Sequence, residues 1–252
     1  MTSFNHGMFV WRELMTPDVD AALRFYGETF GWKTKGMPMP HGGTYHLLNA
    51  GETGVGGMMQ CPDDMKTMPP FWSSYVSVPD VDAACEKAKA SGGKVAFGPM
   101  NLENVGRMAM ILDPQGACFW AFKSAQGDGE RSRPGAGHFC WEQLNTTDTG
   151  AAKKFYTDVL GWKSQGFGQG METFGVGPRM EDQAGSLMTA PPGVPAHWLT
   201  YVAVDKLGDA CARVTRAKGT VVMERLEIPT VGAIAVIKDP QGAFLGLFES
   251  TM

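Results

Sequence analysis

The chain has 252 residues, 43% hydrophobic and 19% charged, with a formal net charge of -4; such a chain can bury a real core and divides naturally into two domains of ordinary size. Lys and Arg are scattered, so no basic field exists to draw in a phosphate backbone, and nucleic acid is not an expected partner. No apolar run approaches the roughly 20 residues that span a bilayer, and the opening residues lack the basic-then-apolar order of a signal peptide, so a cytoplasmic chain without membrane association is expected.

Taken in order, MFVWRELM from Met8 reads as a strand, and Val19, Ala22, Leu23, Tyr26 and Phe30 then recur at helical spacing. The start signal is Thr16-Pro17-Asp18 and the stop is Gly31. Short β-rich pieces follow at Thr44 to Asn49 and Val55 to Gln60, separated by the turn Ala50-Gly51-Glu52. A strand from Ser73 to Val78 restarts the order, and the next helix carries Val81, Ala84, Cys85 and Ala88 on one face before Ser91-Gly92-Gly93. Strands near Lys94 to Phe97, Arg107 to Asp113 and Ala117 to Phe122 complete a second βαβββ unit. The run Gly54-Val55-Gly56-Gly57 lies inside a hairpin pattern with no helix after it, which excludes a phosphate-binding loop.

The whole pattern then repeats. GMFVWRELMTPDVDAALRFYGETFGWK from Gly7 returns as GHFCWEQLNTTDTGAAKKFYTDVLGWK from Gly137, an offset of 130. FWSSYVSVPDVDAACEKAKASGGKV from Phe71 returns from His197, and Asp113-Pro114-Gln115-Gly116 as Asp239-Pro240-Gln241-Gly242, both at an offset of 126. The expected organisation is therefore α+β: one domain over residues 1–125, a Gly-, Ser- and charge-rich linker over 126–136, and a second domain over 137–252. Five cysteines, Cys61, Cys85, Cys118, Cys140 and Cys211, form an odd set without CxxC spacing, against a disulfide framework or a zinc cluster.

The layout, with FYxxxFGW after the first helix and DPQG before the last strand, resembles the vicinal oxygen chelate superfamily of glyoxalases, bleomycin-resistance proteins and extradiol dioxygenases. The resemblance covers nearly the whole chain outside the linker. It implies four βαβββ units forming two tandem glyoxalase/bleomycin-resistance-like domains, whose curled mixed sheets make bowls for a small ligand and, in many members, a divalent metal. The resemblance places the ligating positions at Trp11 and Trp141, Ser73 and Leu199, Trp120 and Gly246, and near Gly57 or Gly185. None of these supplies an imidazole or carboxylate, so no metal ligand and no cofactor are assigned, and a divalent metal is disfavoured.

If alternation turns Trp11 inward, Phe9 and Glu13 share its face, as do Phe139, Trp141 and Gln143 in the second copy. Later strands add Tyr75, Trp120 and Phe122 in the first copy, and Tyr201 and Phe248 in the second. Such a cleft suits an apolar or aromatic organic molecule, although the same rings could simply fill the bowl as core. Glu13 is costly to bury alone and is the first candidate acid-base residue; His46, beside Tyr45 and flanking with His41 a Gly-Gly turn where a loop over the bowl could form, is the second. Three readings remain: a small-molecule binding protein, a glyoxalase-like lyase or isomerase or a dioxygenase- or hydroxylase-like enzyme, and a non-catalytic interaction scaffold. A monomer or weak homodimer is expected, because the duplication supplies in one chain what single-domain members gain by pairing. The FY pairs, Trp32 and Trp162 are expected in the core, and DPQG is expected to be a tight turn without chemistry.

Overall fold

The computed structural model describes residues 3–39, 42–62, 69–131, 134–168 and 171–251. His41, Met65 and Met68 lie outside the described residues. The first repeat runs β1 (Phe9–Thr16), α1 (Val19–Phe30), β2 (Lys33–Pro38), β3 (Thr44–Ala50), β4 (Thr53–Gln60), then β5 (Phe71–Ser77), α2 (Val81–Ala90), β6 (Lys94–Leu102), β7 (Gly106–Leu112) and β8 (Cys118–Ser124). The second runs β9 (Phe139–Thr146), α3 (Thr149–Leu160), β10 (Lys163–Gly168), β11 (Met171–Gly175), β12 (Gln183–Thr189), then β13 (His197–Ala203), α4 (Leu207–Arg216), β14 (Thr220–Ile228), β15 (Gly232–Lys238) and β16 (Phe244–Ser250). The four βαβββ units are thus the observed fold. They form two eight-stranded mixed sheets, ordered β2-β3-β4-β1-β5-β8-β7-β6 and β10-β11-β12-β9-β13-β16-β15-β14. Within each, the β1·β4 and β5·β8 type pairs are parallel and the outer pairs antiparallel. The strand β2 has no counterpart in the sequence reading because every residue of KTKGMP is exposed, leaving no alternation to see.

Local chemistry sets the helix ends. Asp18, Asp80 and Asp148 accept the backbone N–H three residues on, satisfying one free donor of α1, α2 and α3. Gly31 and Gly161 end α1 and α3 at φ 72° and 71°, a conformation that favours glycine. Helix α4 starts at Lys206 with no side-chain cap of its own; the backbone N–H of Leu207 donates instead to the Glu249 carboxylate, whose pKa this bond lowers.

By packing, the chain falls into two compact units that cut across the repeats. The first comprises Met1–Val10, Ser73–Ser132 and Glu142–Trp198; the second comprises Trp11–Trp72, Arg133–Trp141 and Leu199–Met252. The first unit buries Val76, Ile111, Phe119, Leu144, Phe155, Tyr156, Trp162 and Trp198 in one core. The second buries Leu14, Phe25, Tyr26, Trp32, Trp72, Val202, Leu245 and Leu247 in another. In the second unit the Tyr26 hydroxyl accepts from Trp72 Nε1 at 2.9 Å and donates to Asp239 at 3.0 Å. In the first, Tyr156 accepts from Trp198 at 2.9 Å and donates to Asp113 at 3.2 Å. Trp32 and Trp162 donate to the carbonyls of Gly137 and Gly7, each at 2.7 Å.

The DPQG segments do more than turn. Asp239 Oδ1 accepts from the N–H groups of Gln241, Gly242 and Ala243 while Oδ2 meets Tyr26. Gln241 accepts from the Thr16 hydroxyl and the Asp18 N–H, and its Nε2 donates to the Asp18 carbonyl. The turn of the second repeat therefore caps the helix start of the first, within one unit. The segment expected as linker is mostly exposed, but Asp128 accepts from the Asn5 N–H and the Ser77 hydroxyl.

Candidate functional site

In the second unit Leu14 enters the helix-covered core, so alternation turns Trp11 and Glu13 to the opposite sheet face. Glu13 pairs in register with Gly57 of β4, which in turn pairs with Leu47 of β3. Tyr45, two residues from Leu47 and on the same face, reaches back over Gly57, where a Cβ would fall 1.8 Å from the phenolic oxygen. Its hydroxyl accepts from Trp11 Nε1 at 2.9 Å and is hydrogen-bonded to Glu13, to which it donates. Burial, and next the Glu13 charge, push the Tyr45 hydroxyl far above the ordinary tyrosine range, so it stays a neutral donor. Glu13, 9% exposed, is thereby partnered. His46 is adjacent to Tyr45 and so lies on the other face, level with buried Met58. The structure does not bring His46 and Glu13 together.

In the first unit, Val76 belongs to the core, which turns Ser73 and Tyr75 to the opposite face of β5. Tyr75 pairs with Trp120 of β8, and their rings stack at 5.3 Å and 7°. Phe122 meets Tyr75 edge-on at 5.9 Å, and Phe97 meets Trp120 edge-on at 6.0 Å. Cys118 lies on the same strand, and burial pushes its thiol up to about 11. Ser73 and Trp120 are 1% and 7% exposed, yet Ser73 Oγ and Trp120 Nε1 have no hydrogen-bond partner among the described residues. An unmade bond of this kind costs about 1–3 kcal/mol for each group.

The second repeat has diverged. In the second unit Tyr201 pairs with Gly246, the counterpart of Trp120, and its ring lies where a Cβ of Gly246 would be, 2.2 Å away. Trp141 and Phe248 are half-buried. In the first unit Gln143 donates to Asn145 Oδ1 at 2.8 Å, and Asn145 Nδ2 lies 3.3 Å from His197 Nε2. His197 Nδ1 lies 2.9 Å from the Pro195 carbonyl, which can only accept, so Nδ1 carries the proton and Nε2 accepts from Asn145. Phe9 and Phe139 share strand parity with Trp11 and Trp141 but pack into the cores. Phe9 packs against Trp198 and Trp162 at 5.1 and 5.7 Å in the first unit. Phe139 packs against Trp72 and Trp32 at 5.2 and 5.4 Å in the second. The sequence reading missed Tyr45; its signal was Gly57, a glycine in a strand, which marks a close approach.

A family profile described as Glyoxalase/Bleomycin resistance protein/Dioxygenase superfamily matches residues 4–120 and again 135–247. The chain belongs to this superfamily. Among curated relatives, "Putative glyoxylase CFP32" of Mycobacterium tuberculosis is 32% identical over 98% of this chain and 97% of its own. "Anthracycline biosynthesis protein DauV" of Streptomyces sp. (strain C5) is 29% identical over 99% and 95%. Of solved structures, an Mn(II)-bound glyoxalase from Novosphingobium aromaticivorans superposes with a TM-score of 0.66 at 16% identity, over 99% of this chain and 83% of that one. The 2,3-dioxygenase LapB from Pseudomonas sp. KL28 gives 0.66 at 12%, over 99% and 93%. These likenesses carry the fold.

The superfamily's divalent metal does not fit the residues present. Trp11, Trp141, Trp120, Leu199, Gly57 and Gly246 offer no donor, and Ser73 offers a neutral hydroxyl. The register corrects one position: Gln143 pairs with Ser186, so the counterpart of Gly57 is Ser186 rather than Gly185. That too is a hydroxyl. Among the described residues no group of three or more His, Cys, Asp or Glu is placed to hold a metal ion.

Proposed function

We propose that this superfamily member binds a small planar organic molecule, without a divalent metal, on the β5–β8 face of the first unit. The observation that carries this reading is the parallel Tyr75–Trp120 stack, edged by Phe122 and Phe97. Offset-stacked and edge-on contacts are the geometries that a further aromatic ring prefers, and with Tyr75 and Trp120 both buried its entry requires the exposed Phe97 to move aside. Anthracyclines, the product class in the name of a relative, have fused planar rings and are natural first ligands to test. Trp11 in the second unit, and Trp141, Tyr201 and Phe248 in the second repeat, are secondary candidates; Gln143 would supply polarity.

The scattered charge and five free cysteines favour a cytoplasmic protein acting on its ligand as a monomer or weak dimer, without nucleic acid. Among the described residues no helix is long and apolar enough to cross a membrane. Titration of tryptophan fluorescence with anthracene-2-sulfonate tests the reading. Saturable binding that Tyr75→Ala weakens about tenfold or more, ~1.4 kcal/mol, is expected; binding that is absent, or indifferent to Tyr75→Ala in a variant that melts cooperatively, overturns it.

A second reading, an acid-base lyase or oxygenase-type enzyme, is favoured by one observation, the Tyr45–Glu13 hydrogen bond. There Glu13 would take a proton while Tyr45 holds the carboxylate; His46, on the other face, has no part in that pair. Turnover of an aldehyde, thiol adduct or aromatic substrate that survives Glu13→Gln unchanged sinks it.

A further inference from the structure

Resting on the binding reading above, we infer that the ligand of the β5–β8 face is a planar arene bearing a hydrogen-bond acceptor, such as a ring carbonyl, which Trp120 Nε1 and Ser73 Oγ receive. Five other indoles have their N–H accounted for: Trp11 by Tyr45, Trp32 by Gly137, Trp72 by Tyr26, Trp162 by Gly7 and Trp198 by Tyr156. Trp120, as deeply buried as Trp198, has no acceptor among the described residues. Buried polar groups are nearly always satisfied, so the exception needs a cause.

The other groups without partners lack this arrangement. Asp128 and Gln183 are bonded through their second polar atoms, and Thr29 and Thr173 are solitary hydroxyls on other elements. Among the described residues only Ser73 and Trp120, of these groups, share one face of one strand pair, and Tyr75, two residues along β5 from Ser73, stacks on the indole. An indole N–H can only donate, so the missing partner must accept; a hydroxyl can do either, so Ser73 imposes no conflict. A hydrocarbon would satisfy the stack and leave both polar atoms bare. A ring carbonyl satisfies the stack and at least the indole at once. Phe97, 54% exposed and edge-on to Trp120, is the side chain whose rotation would admit it.

The test compares two probes of the same outline and solubilising group, anthraquinone-2-sulfonate and anthracene-2-sulfonate, by calorimetry on the full chain. The quinone should bind about tenfold more tightly, the size expected when one buried donor gains its acceptor. Trp120→Phe removes the N–H and leaves a smaller aromatic ring; both probes should weaken with the lost stacking area, the quinone by more, so that the two come within about twofold of each other. Ser73→Ala should lower the quinone preference in the same sense, and it decides the matter if Trp120→Phe fails to fold. Equal binding of the two probes by the wild type, or a preference untouched by these variants, overturns the inference and leaves the binding reading standing. Failure of both probes to bind overturns both.

Discussion

The Tyr26 hydroxyl donates to the Asp239 carboxylate at 3.0 Å across 213 residues of chain, tying the helix motif of the first repeat to the DPQG turn of the second. The same hydroxyl accepts from Trp72 Nε1, so one buried oxygen completes two partners. Tyr26→Phe removes both bonds while keeping the ring stacked near Trp32. It should cost about 1–3 kcal/mol, because the Trp72 N–H and an Asp239 oxygen are left bare. Urea unfolding midpoints read the loss; a change within about 0.5 kcal/mol would show that the bond is absent in solution.

Asp113 gives the pH counterpart. Burial is the main influence and raises its pKa above the usual carboxylate value, outweighing the stabilising bonds from Ala117, Gln115 and Tyr156. A raised folded value means the folded chain holds the proton more tightly than the unfolded chain. The ionised carboxylate therefore costs stability, and that cost grows as pH rises from about 4 through the raised value. Against Asp113→Asn, which cannot ionise, the wild type should lose relative stability over that interval and then level off. Denaturation curves across the range decide it: a wild type that gains on the variant with rising pH would mean that the hydrogen bonds, not burial, set the group.

Much of this architecture is legible in the sequence because the repeat is written twice. Asp18 and Asp148 cap helices, Gly31 and Gly161 end them, and the βαβββ order follows from apolar spacing. The losses are equally physical. Strand parity put Phe9 and Phe139 beside Trp11 and Trp141, but Phe9 meets Trp162 and Trp198 and Phe139 meets Trp32 and Trp72. Those partners come from distant stretches of chain, to which a period-two pattern is blind. DPQG read as a turn because its local chemistry is that of a turn; the tertiary partners of Asp239 and Gln241 lie more than 200 residues away. At the candidate site, the non-ligating side chains at the positions that the resemblance gives to a metal can be read from the sequence, whereas the Tyr45 bond to Glu13 and the bare Trp120 N–H depend on distant strands meeting in the fold.

Gly57 tests the Tyr45 arrangement directly. An added Cβ would sit 1.8 Å from the phenolic oxygen, so Gly57→Ala must drive Tyr45 off both Trp11 and Glu13. The expected loss is about 1–3 kcal/mol, with Glu13 left without its phenol. Tyr45→Phe should cost a similar amount, and the double variant little more than either alone, since both act through one hydroxyl. Additive losses in that cycle would show that Gly57 is needed for some other reason.

The two repeats should not bind ligand alike. Tyr75 stacks on an indole, whereas Tyr201 lies flat on the backbone at Gly246, with its ring filling the space that a side chain would take. In the first case a planar molecule finds an aromatic wall; in the second the strand face is already covered by the tyrosine itself, whose burial raises its hydroxyl pKa. Calorimetry with anthraquinone-2-sulfonate should therefore saturate near one molecule per chain. Tyr201→Ala removes the covering ring and bares the Gly246 backbone, and it should either add a second, weaker site or leave the first unchanged while lowering stability by about 3–5 kcal/mol. Two equal sites in the wild type would mean that Tyr201 moves aside as readily as Phe97, and that the glycine opposite it does not close the second repeat.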